Sequence, residues 1–165
     1  MEKRRIMTIA VLTLLFATVA FIWGNSMKSM AQSQQMSQTF MKIIVPFLEF
    51  FLGQGNVTEH IVRKLAHFTE FGMLGVELAL LLILYRPIRL QSILNGLFTG
   101  LVIALSDETI QIFFKRGPQI QDVWLDFTGV AAGLFLVLLI YLLIVRIQKT
   151  HGSSRIKSKS GEIAR

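Results

Sequence analysis

The stretch Arg63-Lys64-Leu65-Ala66-His67-Phe68-Thr69-Glu70 brings two cations, an imidazole and a carboxylate into the start of an apolar run that continues to Tyr85. Arg63, His67 and Glu70 are spaced i, i+4 and i+7, which is one face of a helix. Glu70 then lies roughly 10 Å further along the axis than Arg63. An imidazole beside a carboxylate can do acid–base work or hold a metal. The planar guanidinium of Arg63 and the compact charge of Lys64 suit an oxyanion. Ionisable groups at a bilayer centre cost about 2.5–3.5 kcal/mol each on insertion scales, less near the interface, so such a cluster needs partners.

The partners lie in two later stretches. Ser106-Asp107-Glu108 closes an apolar run, Gln111 follows one turn on, and Lys115-Arg116-Gly117-Pro118 turns the chain. Asp122 and Asp126 open the last run at i and i+4, and Asp126 shares a helix face with Gly129 and Gly133. The expected polar cluster is His67, Glu70, Ser106, Asp107, Glu108, Gln111, Asp122 and Asp126, with Arg63, Lys64 and Arg116 as candidates for an anionic head group. The same cations could instead form salt bridges to Asp107, Glu108, Asp122 and Asp126 that hold three helices in register. His67, Glu70, Asp107 and Glu108 are the candidates for catalysis. Mg²⁺, Mn²⁺ or Zn²⁺ would suit such ligands. The pattern, however, is not HExxH and has no recurring Glu-x-x-His pair, so no cofactor is expected. There is no recognisable nucleophile elbow, which ranks an enzyme behind a binding protein. Glu77, two turns below Glu70, is expected to face Asn95 or Thr99 as a bundle-stabilising hydrogen bond, with a proton relay as the other reading.

The elements that must position these groups are membrane helices. Hydrophobic residues make up 53% of the 165 and charged residues 16%, and the mean hydropathy is +0.58. Four segments, about 6–24, 61–85, 90–113 and 123–146, are apolar enough to span a hydrocarbon core of about 30 Å. The expected fold is all-α: a polytopic helical membrane bundle of four transmembrane helices plus a short interfacial or re-entrant helix at about 40–52, interrupted near Pro46. A Ser/Gln/Met-rich linker, Asn25–Thr39, precedes that helix. The bundle occupies 1–147, and 148–165 forms a flexible basic tail able to touch anionic lipid. Gly96/Gly100 and Gly129/Gly133 carry GxxxG spacing, which predicts close packing between the last two spans. Phe113, Phe114 and Trp124 read as interfacial anchors. The Phe-rich segment Phe47–Phe51 reads as a cover for the polar cluster or the lining of a lipid-tail groove.

The net charge of +7 is not a nucleic-acid signature here. Most Lys/Arg sit at Lys3, Arg4, Arg5, at Arg86, Arg89, and from Arg146 onward. With four spans these are the three segments on one side, the positive-inside pattern, which predicts cytoplasmic termini and an external polar cluster. Met1–Arg5 before an apolar run also resembles a signal peptide, with Thr18-Val19-Ala20 and Ser29-Met30-Ala31 as cleavage candidates. The run is long for one, and an uncleaved first helix is expected. Asn56-Val57-Thr58 fits a glycosylation sequon, a tripeptide common by chance. The lack of cysteine excludes disulfides and thiolate metal sites.

Taken in order, Arg63-Lys64-x-x-His67-x-x-Glu70-Phe71, Ser106-Asp107-Glu108-x-x-Gln111 with Arg116, and Asp122-Val123-x-x-Asp126-x-x-Gly129-x-x-x-Gly133 resemble the VanZ-like family of bacterial membrane proteins. The resemblance spans roughly Trp23 to the end of the fourth span. It implies a small multi-span protein of the cytoplasmic membrane, in a family where some members contribute to glycopeptide, notably teicoplanin, resistance. From the residues themselves, the leading expectation is a non-catalytic envelope protein. Its partners would be membrane lipids or a lipid-linked cell-wall precursor, with no nucleic acid involved. The alternative is a membrane-embedded hydrolase or transferase acting on a lipid-linked phosphate. A proton-coupled transporter using Glu77 and Glu70 is a third reading. No motif sets an oligomeric state.

Overall fold

The computed structural model describes residues 2–85, 87–114 and 120–163. These form five helices, α1 (Glu2–Ser26), α2 (Met30–Leu52), α3 (Glu59–Leu84), α4 (Leu90–Phe113) and α5 (Ile120–Ile163). Helices α1, α3, α4 and the Ile120–Thr150 part of α5 are long and apolar enough to cross a membrane. Their outward surfaces carry residues such as Phe16, Phe98 and Leu142, all well exposed. A bilayer tolerates this and water does not, because lipid tails are as apolar as these side chains.

Successive apolar helices run in opposite directions. Ser26 at the end of α1 meets Asp107 and Gln111 near the end of α4, while Asn25 meets Glu70 near the start of α3. At the opposite end, the Arg4 guanidinium stands over the Tyr85 ring at 5.4 Å. The polar ends of α1, α3, α4 and α5 therefore gather on one side of the bundle.

Helix α2 differs from the expectation. The polar stretch expected as a linker is helical from Met30, because Ser29 and Gln32 form a reciprocal capping box. Ser29 Oγ accepts the Gln32 N–H, and Gln32 Oε1 accepts the Ser29 N–H at 3.0 Å. The helix also continues through Pro46 to Leu52, although a proline inside a helix removes one N–H and crowds the carbonyl four residues earlier. Gly53 and Gly55 then turn the chain with φ of 86° and 79°, conformations that favour glycine. The Gly55 N–H donates to Glu49 Oε1 at 3.0 Å. With 23 residues, α2 has the length of a span, but its Gln/Ser-rich first half keeps it outside the apolar set.

The closest seam in the bundle joins α3 to α5. Gly129 lies against the Phe68 carbonyl and the Gly72 amide, Gly133 against the Gly72 carbonyl and the Val76 amide, and Gly75 against the backbone of Val130 and Leu134. The glycine-mediated pairing expected between the last two spans holds for the glycines of α4 and is corrected for those of α5. The glycines of α5 face α3, while Gly96 and Gly100 of α4 receive the Leu134 and Val130 side chains from α5. Lipid tails are as apolar as leucine, so helix association depends on such close van der Waals contact. Phe71, Leu74, Val130 and Leu134 fill the centre with no exposed surface.

Candidate functional site

Each polar group of the site continues a packing stripe. On α4, Gly96, Gly100, Ala104, Asp107 and Gln111 recur every three or four residues, and all are buried. On α5, Asp126 stands one turn before Gly129 and Val130. On α3, His67 precedes Phe71 and Leu74 in the same way. A residue on such a stripe points at another helix rather than at lipid, because side chains three and four apart share a face. Asp107 and Asp126 are accordingly 0% exposed, and Glu108 is 6% exposed.

The stripes meet where α1, α3, α4 and α5 converge. His67 Nδ1 lies 3.6 Å from Asp126 Oδ1, too long for a hydrogen bond but within ion-pair range. Asp107 accepts the Ser26 hydroxyl on Oδ1 at 2.5 Å and Gln111 Nε2 on Oδ2 at 2.9 Å. Metal-ligating atoms of His67, Asp107 and Asp126 all fall within 4.8 Å of one another. Neither Asp126 oxygen receives a hydrogen bond from the described residues. At the rim, Lys64 Nζ lies 3.8 Å from Asp122 Oδ1, with both side chains partly exposed. Glu70 Oε1 accepts Asn25 Nδ2 at 3.2 Å, and Asn25 Oδ1 in turn accepts Lys28 Nζ at 2.8 Å.

Some of the anticipated residues lie elsewhere. Ser106 is half-buried and returns its hydroxyl to the Val102 carbonyl of its own helix at 2.7 Å. Arg63 lies with Nη2 3.4 Å from His60 Nδ1. Arg116 lies outside the described residues. Glu77 does not face Asn95 or Thr99, which are exposed and hydrogen-bonded within α4. It accepts the Thr18 hydroxyl of α1 at 2.7 Å.

The first helix was the omission. Thr18, Ser26 and Asn25 each bond a carboxylate of another helix, so four helix ends build the site rather than three. A signal was present: Thr18, Ile22 and Ser26 are spaced by four and so share one face of an otherwise apolar helix.

Beside the cluster, α1, α2 and α3 enclose a groove of about 390 Å³. Phe21, Ile44, Val62, Leu65, Ala66 and Met73 give it apolar walls; Asn25, Lys28, Arg63, His67 and Glu70 supply polar groups. His67 belongs to both the groove and the buried cluster.

These features define a helical membrane protein whose buried carboxylate–imidazole cluster adjoins an amphipathic groove. A family model described as VanZ/LLP1 matches residues 7–143, and the chain belongs to that family. No curated protein and no solved structure matches it significantly.

Proposed function

We propose that the groove between α1, α2 and α3 binds an amphiphile with an anionic head, either a membrane phospholipid or a lipid-linked envelope precursor. The observation that carries this reading is the division of the groove surface. Phe21, Ile44, Leu65 and Met73 suit an acyl or prenyl chain, while Lys28 and Arg63 sit among its polar residues. Pockets of this kind use apolar area for affinity and a few placed polar groups for orientation. The proposed setting is the outer face of the cytoplasmic membrane, with both termini inside, as the Lys/Arg distribution favours. Binding there would alter how a lipophilic glycopeptide meets its target, which is a route to the resistance associated with some VanZ-like proteins.

Native mass spectrometry of the purified chain tests this. Wild type should retain anionic lipid in preference to zwitterionic lipid. Parallel arms with phosphatidylglycerol and a polyprenyl phosphate separate the two sources. Arg63→Gln should weaken retention about ten-fold, the loss of one charge-assisted contact of about 1.5 kcal/mol or more. Equal retention by a well-folded Arg63→Gln chain overturns the reading.

One observation favours a second reading. His67 lines the groove with the carboxylate of Asp126 behind it, an arrangement that orients an imidazole for proton transfer. A hydrolase of lipid-linked phosphates would then lose turnover on His67→Ala, and absence of turnover by the unaltered protein removes this alternative.

A further inference from the structure

The polar end of the bundle gathers three buried acidic side chains. Asp107, Glu108 and Asp126 are all buried, and Asp126 also lies in the field of Asp122 and Glu70. Lys64 pairs at the rim with Asp122, and Asp107 is met by the neutral donors Ser26 and Gln111. His67 is a basic group that faces Asp126. Carboxylates gathered in a buried site repel one another, and a bound cation would relieve that repulsion.

Asp126 adds a second, independent observation. Its side chain is 0% exposed, and no described residue donates a hydrogen bond to either oxygen. Buried carboxylates normally collect donors. This one instead points at His67 and Asp107, with ligating atoms of all three inside 4.8 Å.

We propose that His67, Asp107 and Asp126 form a binding site for a divalent transition-metal ion of the Zn²⁺ or Mn²⁺ type. An imidazole nitrogen with two carboxylates favours these over Mg²⁺ and Ca²⁺, which take oxygen ligands almost alone. Bonds of about 2.0–2.2 Å place ligand atoms about 3–3.5 Å apart, so small side-chain rotations close the site from its 4.8 Å spread. The surrounding bonds suit this. Ser26 and Gln111 orient Asp107 through both its oxygens, as outer groups do for metal-bound carboxylates. The three ligands come from three helices, so the ion would tie α3, α4 and α5 together. Because His67 is shared with the groove, the ion would lie one side chain from whatever occupies it. The site goes beyond the amphiphile reading and stands without it.

The full chain, purified in lipid-free detergent and stripped with EDTA, is loaded separately with Zn²⁺, Mn²⁺ and Co²⁺ and then desalted. The expected result is about one ion per chain by elemental analysis, the occupancy of a single closed site. A visible absorption band on Co²⁺ loading should report the protein ligands. Asp126→Asn and His67→Asn should abolish retention, and Ser26→Ala should weaken it about 10–100-fold, the usual cost of losing an outer-shell partner. His60→Ala and His151→Ala, which alter the other two histidines, should retain the ion. Should an Asn variant fail to fold, the unaltered chain supplies the readout. Its unfolding midpoint must rise with Zn²⁺ or Mn²⁺ concentration, by mass action on the folded state, and fall back with EDTA. No retained ion, equal retention by folded Asp126→Asn, or a midpoint indifferent to metal overturns the site. Lipid retention measured on the stripped chain tests the groove separately.

Discussion

Replacing Gly133 by alanine tests the seam on which the site depends. A Cβ there overlaps the Gly72 carbonyl and crowds the Val76 amide. Both belong to a helix backbone, which cannot swing aside as a side-chain tip can. To restore ordinary contact near about 3.5 Å, α3 and α5 must part by roughly 1.5 Å. Overpacking of this kind costs about 1–3 kcal/mol. Alanine's better helix propensity returns up to about 1 kcal/mol. The net loss should be about 1–2 kcal/mol, a factor of roughly 5–30 in the folded population. Two further glycines calibrate the result. Gly24 has nothing within 4 Å, so Gly24→Ala should be neutral or stabilising by up to about 1 kcal/mol. At Gly96 the nearest atom is Leu134 Cδ1 at 3.2 Å, a flexible tip, so Gly96→Ala should fall between the two. Unfolding in a single detergent, followed by circular dichroism, gives the ranking. A Gly133→Ala chain as stable as wild type, or less harmed than Gly24→Ala, would mean that α3 and α5 do not meet at this point. The contact between His67 and Asp126 would then have no support.

Two further tests address the neighbouring contacts. A Cβ at Gly100 lies 3.1 Å from Val130 Cβ, near the range of about 3.5–4.5 Å that a disulfide requires. Gly100→Cys with Val130→Cys should therefore crosslink within the chain on oxidation, against no native cysteine background. The absence of a mobility shift on a non-reducing gel would separate α4 from α5. Thr18→Val should destabilise by about 1–3 kcal/mol by leaving Glu77 without its hydroxyl donor, while Thr18→Ser and Glu77→Gln retain the bond. Unfolding of all three in one detergent decides this, and a Thr18→Val chain matching wild type refutes the contact.

The sequence by itself determined the class of fold and the types of residue in the site. Length and hydropathy act on each segment separately, because a bilayer demands about 20 apolar residues from every spanning helix regardless of its neighbours. The costly acids and bases were legible for the same reason: His67, Glu70, Asp107 and Asp126 interrupt apolar helices where chance rarely puts them. What the sequence did not determine was partnership. Gly129 and Gly133 announce a close approach but not its recipient, since many helices offer a small-residue face. Only the tertiary structure decided for α3, where Gly72 and Gly75 complete the seam. It also drew Asn25 and Ser26 out of an expected linker boundary and onto Glu70 and Asp107. A hydrogen bond between residues 81 apart in the chain depends on how all the helices pack together, and no local pattern contains that information.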